Sequence, residues 1–236
     1  MRNKFDSELQ LLNEKLIDMG VMCEKAIACA VKALLEHDIA LAESADEAER
    51  EIDRMERDIE SLCLKLILQQ QPVARDLRQI SAALKMITDM ERIGDQAADI
   101  AELTEYVCIS PDSGTVGTEH ITAMAEATVE MVTNSIDSFV NKDVRLAESV
   151  IAHDDVVDAL FLKIKNDIVC NIVNDVKTSS ADPDSMNEEK LDEDIIKNSE
   201  SAIDLIMIAK YLERIGDHAV NVAEWVLFSI TGIHPN

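Results

Sequence analysis

Two blocks of this chain occur twice in the same order, and this internal repeat constrains the fold more than any other feature. The block Asp-Ile-Ala-Leu-Ala-Glu-Ser at 38–44 returns as Asp-Val-Arg-Leu-Ala-Glu-Ser at 143–149. The string Glu-Arg-Ile-Gly-Asp at 91–95 returns unchanged at 213–217. Because the second offset is longer than the first, the second copy must carry an insertion between its blocks, and we expect it in the polar segment 177–194.

The repeat and the turn residues between its copies predict a domain division. A cluster of turn residues, Ser-Pro-Asp-Ser-Gly at 110–114 with Gly117 nearby, is typical of a connection between domains. We therefore expect residues 1–109 to form the first copy, 110–119 the linker and 120–236 the second copy.

Within each copy, apolar residues recur at spacings of three and four, which is the period of a helix seam. In the first copy three seams follow one another, and the third runs from Leu77 to Ala101. Pro72 is placed to end the second helix and open the third, since proline is tolerated in a first turn. Only 6 Gly, 4 Pro and 3% aromatic residues are present, which also favours helices over strands. The sequence predicts an all-α fold of two tandem, pseudo-symmetric three-helix bundles, with spectrin-repeat-like helix lengths.

Charge excludes several classes of partner. Asp and Glu number 47 against 22 Lys and Arg, a net charge of -25. Such a surface repels nucleic-acid backbones and anionic lipids, so we expect neither as a direct partner. No basic and apolar leader opens the chain, and the apolar stretch 225–233 is too short to span a bilayer, so we expect a cytoplasmic protein with reduced cysteines. We see no glycine-rich phosphate loop and no basic phosphate pocket, which argues against direct phosphate binding.

Acidic side chains on the helix seams are the candidate site. Glu91 falls in register with the third seam, and Asp95 and Asp99 follow at spacings of four. Glu49 and Asp53 form a second pair on the preceding helix. A carboxylate on a seam is costly unless it is paired, and like charges four residues apart repel. A bound cation would relieve both problems, and oxygen-rich sites suit magnesium, manganese or iron.

The second copy repeats this pattern, with Asp154, Asp158, Glu213, Asp217 and Asn221 at the matching positions. His218 could add an imidazole and favour iron or zinc. Gly94 and Gly216 stand inside helices, which indicates close helix approach or room for a ligand. Most acid pairs at this spacing are solvated faces, however, and Arg92 and Arg214 could neutralise them, so a metal-free interpretation stays open.

At these motifs the chain resembles the PhoU family of phosphate-transport regulators. Residues 70–78, Gln-Gln-Pro-Val-Ala-Arg-Asp-Leu-Arg, resemble the start of that family's third helix. The two Glu-Arg-Ile-Gly-Asp strings resemble its paired E-x-x-x-D signatures, and 221–224 with 231–232 resembles its C-terminal ending. The resemblance extends through essentially the whole chain.

The resemblance implies two three-helix bundles with metal clusters, often of iron or zinc. Manganese or magnesium is the alternative that the oxygen-rich residues allow. Carried over residue by residue, it assigns Glu49, Asp53, Glu91, Asp95 and Asp99 to the first cluster. It assigns Asp154, Asp158, Glu213, Asp217 and Asn221 to the second. The neutral Asn221 stands where the first copy has Asp99, so we expect the two sites to differ in occupancy or metal.

The family's role, as the resemblance implies it, is signal transduction in phosphate homeostasis and not catalysis. Such a protein is a negative regulator and an adaptor between the ATPase of the phosphate ABC transporter and a sensor histidine kinase. It is commonly a homodimer and reaches the inner membrane face through protein partners.

Two other classes of function are alternatives. A carboxylate-bridged metal enzyme of the ferritin-like kind uses Glu-x-x-His, and none of the five histidines has Glu three positions before it. A metal-free structural scaffold predicts that the paired acids are exposed and individually dispensable.

Overall fold

The computed structural model describes residues 2–70, 72–104, 118–179 and 188–235, and every regular element in these ranges is a helix. The helices are α1 (Arg2–Glu36), α2 (Ile39–Gln70), α3 (Ala74–Leu103), α4 (Thr118–Asn141), α5 (Val144–Ser179) and α6 (Glu188–Thr231). Helices α1, α2 and α3 pack on one another, and so do α4, α5 and α6. The predicted all-α fold of two tandem three-helix bundles is confirmed.

The two bundles join side by side, chiefly through α3 against α6 and also through α1 against α4. Helices α5 and α6 have 36 and 44 residues, against 32 and 30 for α2 and α3. This extra length agrees with an insertion in the second copy. Residues 105–117 and 180–187 lie outside the described ranges, so the domain limits at 109 and 120 and the exact insertion stay predictions.

Helix α3 buries more than one face because it contacts α1 and α2 in its own bundle and α6 in the other. Its buried residues include four alanines, which allow neighbouring helices to approach closely. The expected seam was wrong at its start: Leu77 is 41% exposed, because it lies in the first turn at the end of the bundle, and the buried face begins at Ile80. Pro72 also lies before the helix and not in its first turn, since the extended Val73 is the N-cap.

Two further expectations concern the cysteines and the presence of a membrane-spanning helix. The described cysteines Cys23, Cys29, Cys63 and Cys170 form no disulfide, and Cys108 lies outside the described residues. The reduced state of the cysteines stays a prediction. Across the part of the chain that the structure describes, no helix combines the length and the apolarity that crossing a membrane requires.

The repeated block at 38–44 and 143–149 builds the same turn twice. His37 and Lys142 each adopt a left-handed conformation, with φ of 50° and 55°, and an aspartate follows each of them. Asp38 Oδ1 accepts a hydrogen bond from the Ala40 N–H at 2.9 Å. Asp143 Oδ1 accepts two, from the N–H groups of Arg145 at 2.9 Å and Leu146 at 3.1 Å. The block is therefore repeated because it begins α2 and α5.

Asp143→Ala is expected to lower the free energy of unfolding by about 1 kcal/mol, because it leaves two N–H groups at the start of α5 without their acceptor. Asp38→Ala should have a smaller effect, since Asp38 accepts one such bond. Urea denaturation followed by circular dichroism measures both. Glu148→Ala, an exposed acid further along α5, is the matched control, and an equal effect there would contradict the capping role.

Candidate functional site

The candidate site lies where α2 crosses α3, at a glycine. A Cβ added at Gly94 would lie 3.0 Å from Ile52 Cδ1, so the two helices approach closely at this point. In the second copy, a Cβ at Gly216 would lie 3.4 Å from Val157 Cγ1 and 3.6 Å from Asp154 Oδ1. Ile52 and Val157 occupy matching positions of the repeat, so the same close crossing is built twice. Both crossings bring the acids on the two helices together.

Four of the predicted acids of the first copy surround the crossing and are half-buried. Burial raises the pKa of Glu49, and the charges of Asp53 and Asp95 raise it further. Burial and then Asp53 raise the pKa of Asp95, although Arg92 and His218 oppose the shift. The pKa of Glu91 is raised by burial and then mainly by Asp95. Acids predicted on two separate helices therefore lie close enough to repel one another.

Asp99 extends this group by one turn of α3. Burial raises its pKa, and so does the charge of Asp95. Arg214, which comes from the other bundle, partly opposes this rise. The structure thus brings together all five acids predicted for the first site.

Sequence reasoning missed Glu56, which belongs to the same group. This half-buried side chain lines a pocket of about 650 Å³ together with Glu91 and Asp95. Its pKa is raised by burial, by Glu60 and by Asp53, while the Thr88 hydroxyl donates to its Oε1 at 3.5 Å. The signal was present in the sequence, because Glu56 follows Asp53 at helical spacing on the same face.

The second site is assembled less completely. The pKa of Asp154 is raised by burial, by Asp217 and by Asp158, so these three acids lie near one another. Asp158 and Asp217 are exposed, however. Glu213 already has a cation, because it forms an ion pair with Lys210 three residues earlier.

Aligning the copies shows that the second site is also less acidic. At the offset that matches Ile52 with Val157, Glu56 corresponds to Phe161. At the offset that matches the two Glu-Arg-Ile-Gly-Asp strings, Thr88 corresponds to Lys210, whose ammonium lies 5.6 Å from the centre of the Phe161 ring. With Asn221 in place of an aspartate, the second copy has lost two acids and gained a cation. The two sites are therefore inequivalent in charge.

Asp89 on α3 links the two bundles beside the site. Its Oδ1 lies 3.0 Å from His218 Nδ1 and accepts a hydrogen bond of 3.0 Å from Asn221 Nδ2, and both partners stand on α6. His218 was a candidate metal ligand, and this contact leaves Nε2 as its ring nitrogen open to an ion. Asn221 likewise keeps only its amide oxygen for that purpose.

The residues suit a hard cation chemically but are not preassembled around one. Within the described ranges, no three His, Cys, Asp or Glu side chains are arranged to hold a metal ion. Of the five predicted acids of the first site, Asp53 alone has an ion pair in the described part of the chain, with Arg57 at 3.7 Å. Half-buried carboxylates that repel one another, four of them without an ion pair in these ranges, are a donor set that a metal would satisfy after side-chain rotation.

Comparison with known proteins gives a consistent result. Residues 16–104 and 121–226 match the family model of the PhoU domain. The chain is 32% identical over 231 residues to the phosphate-specific transport system accessory protein PhoU homolog of Pseudomonas aeruginosa, covering 97% of this chain and 86% of that protein. It is 34% identical over 232 residues to the protein of the same name from Clostridium acetobutylicum, covering 98% and 96%.

Solved structures resemble the chain along its whole length. The crystal structure of PhoU from Pseudomonas aeruginosa has a TM-score of 0.77 at 31% identity, covering 97% of this chain and 100% of that one. The phosphate transport system regulatory protein PhoU from Streptococcus pneumoniae has a TM-score of 0.80, covering 98% and 99%. At 21% identity, this second likeness concerns the fold alone.

Proposed function

This chain belongs to the PhoU family of accessory proteins of phosphate transport, and we propose that it holds the phosphate-starvation response off when phosphate is plentiful. In this role it is an adaptor between the ATPase of a phosphate ABC transporter and a sensor histidine kinase, and it restrains phosphate uptake. The observation that carries the proposal is the match of both repeats, over nearly the full length, to proteins named for phosphate transport.

We propose a binding and signalling role in place of catalysis. The relatives are named as accessory proteins of phosphate transport, which supports this view. The carboxylate site has the negative charge to bind a cation. It lacks the motif of ferritin-like di-metal enzymes, in which Glu precedes His by three residues.

The acids at the two helix crossings would hold metal ions. In the first site Glu49, Asp53, Glu91, Asp95 and Asp99 are the ligands, and Glu56 is close enough to join them. In the second site the ligands are Asp154, Asp158, Glu213, Asp217 and the amide oxygen of Asn221. A bound ion would offset the repulsion among these carboxylates and would join α2 to α3 and α5 to α6. Iron or zinc is the first candidate, and manganese or magnesium the alternative.

Exposed apolar side chains support docking on proteins. Leu64, Leu68 and Val73 are exposed around the turn between α2 and α3, and Val169 on α5 and Ile203 on α6 are also exposed. Such side chains suit a second copy of the chain or the membrane-bound partners. We propose that the protein works as a homodimer in the cytoplasm and meets the inner membrane face through these partners, which fits a net charge that repels anionic lipid.

Deletion of the gene tests the regulatory role. In a strain without other PhoU-family genes, we expect a phosphate-starvation reporter to be expressed at high phosphate, and the wild-type gene to restore repression. Normal repression in the deletion strain would refute the proposal.

The same strain tests the metal site. The double variant Asp95→Ala/Asp217→Ala should fail to restore repression, and the purified variant should carry less metal by elemental analysis at unchanged helical content. The double variant Asp58→Ala/Glu148→Ala, which removes two exposed acids outside both sites, is the control for charge. Full repression by the first variant, with metal content equal to that of the wild type, would refute the assignment of these acids as metal ligands.

A further inference from the structure

A second pocket, of about 460 Å³, lies away from the carboxylate site, where the start of α3 meets the ends of α4 and α6. Arg75, Arg78 and Lys142 line it, together with Gln79 and Ser229. No Asp or Glu is among the described residues that line it, although acids outnumber bases by 47 to 22 in the chain. This pocket is therefore a local concentration of positive charge in a strongly negative protein.

Arg78 has an unused donor at this pocket. Its Nε is buried and has no hydrogen-bond partner, and no ion pair of Arg75, Arg78 or Lys142 occurs in the described part of the chain. Gly232 packs on the guanidinium: a Cβ there would lie 3.7 Å from Nε and 3.8 Å from Cζ. The φ of Gly232 is +80°, which favours glycine and fixes the turn over Arg78. A buried N–H without an acceptor is costly, so a movement of the Arg78 side chain that gave Nε an acceptor would be favoured.

The start of α3 adds to the positive potential. Val73 is the N-cap, and its side chain accepts no hydrogen bond. The N–H groups of the first turn of α3 therefore have no side-chain acceptor at the cap. Arg75 lies in this first turn. Asp76 beside it partly offsets the charge, whereas Asp143, next to Lys142, is already engaged in capping α5.

A simpler explanation is that these cations neutralise the carbonyl ends of α4 and α6. That explanation suits Lys142, which directly follows α4. It does not suit Arg78, because an arginine that caps carbonyl groups donates to them, and the buried Nε of Arg78 donates to nothing.

We propose that this pocket binds a phosphate group, as inorganic phosphate or as the phosphate of a small ester, with Arg75, Arg78 and Lys142 as its cations. A guanidinium fork matches two oxygens of a tetrahedral oxyanion, and the ammonium adds a point charge. The ligand is small because the net charge of -25 repels extended polyanions, whereas a small ion within about 10 Å senses mainly the three local cations. The sequence alone did not reveal this basic pocket, because Lys142 and the two arginines come from different repeats and meet only in the folded chain.

Calorimetric titration of the purified full chain, at low ionic strength and without phosphate buffer, tests this site independently of the regulatory role. Inorganic phosphate and glycerol 3-phosphate are titrated separately. We expect saturable binding of at least one of them, and the tighter ligand identifies whether the phosphate is free or esterified. Arg78→Met should weaken binding by about tenfold or more, and Arg78→Lys by less, since lysine keeps the charge and loses the fork.

Arg54→Met is the matched control, because Arg54 is an exposed arginine on α2 that pairs with Glu51 and lies outside the pocket. It should change the dissociation constant by less than about twofold. If Arg78→Met does not fold, Lys142→Asn and Arg75→Met carry the test; asparagine tolerates the left-handed φ of residue 142. Absence of saturable binding of both ligands up to about 10 mM, or an equal loss in Arg54→Met, would overturn the proposal.

Discussion

Asp89→Ala is expected to lower the free energy of unfolding by about 2–4 kcal/mol, because it leaves two donors of the interface between the bundles without their acceptor. Asp89 and His218 are 15% and 18% exposed at the side chain, so water replaces the lost contact poorly. Asn221 Nδ2 loses its acceptor in the same step. Urea denaturation of the purified protein measures the change.

Asp58→Ala is the control, since Asp58 is 72% exposed and forms only a surface ion pair of 3.6 Å with Lys15. Its effect should stay below about 1 kcal/mol. A double-mutant cycle of Asp89→Ala with Asn221→Ala then isolates the contact between the bundles and should show a coupling of roughly 0.5–3 kcal/mol. Additive effects of the two substitutions would show that the contact contributes nothing to joining the bundles.

The fold was predictable because its information is local or repeated. Helical spacing of apolar residues fixes each helix, and the block at 38–44 and 143–149 marks the two N-caps on which α2 and α5 begin. The acids at the crossings were predictable for the same reason, since spacings of four place them on one face. Leu77 shows the limit of this reasoning: periodicity gives the face of a helix and not the point where the bundle ends.

Contacts between the repeats were not predictable in the same way. The approach of His218 to Asp89, and of Lys142 to Arg78, depends on how α3 docks against α6 and on where α4 ends. No period within one copy encodes that docking. The inequality of the two sites, in contrast, was readable from the sequence, because Phe161 and Lys210 stand where the first copy has Glu56 and Thr88.

Adding zinc or manganese to protein stripped of metal by a chelator is expected to raise the midpoint of thermal unfolding by roughly 5–10 °C. An ion that binds only the folded state, at about a hundredfold excess over its dissociation constant, raises the free energy of unfolding by about 2.7 kcal/mol. In a chain of this size, the midpoint of thermal unfolding rises by roughly 2–4 °C for each kcal/mol. The ion binds the folded state preferentially because folding brings these acids together. Burial and mutual repulsion raise the pKa values of Glu49, Glu91 and Asp95 there. Differential scanning calorimetry at fixed metal concentration measures the shift.

The two sites should contribute unequally to this shift. Asp95→Ala is expected to remove more of it than Asp217→Ala, because Glu213 is already paired with Lys210 and Asn221 carries no charge. When metal is added, the unfolding midpoint of the double variant should rise only by the effect of ionic strength. Metal-free wild type in a monovalent salt of equal ionic strength measures that effect. Asp58→Ala, whose acid is exposed and pairs with Lys15 of α1, should keep the full shift. An undiminished shift in the double variant would place the ions elsewhere, because this variant removes one acid from each crossing and leaves Gly94 and Gly216, where the helices approach closely, unchanged.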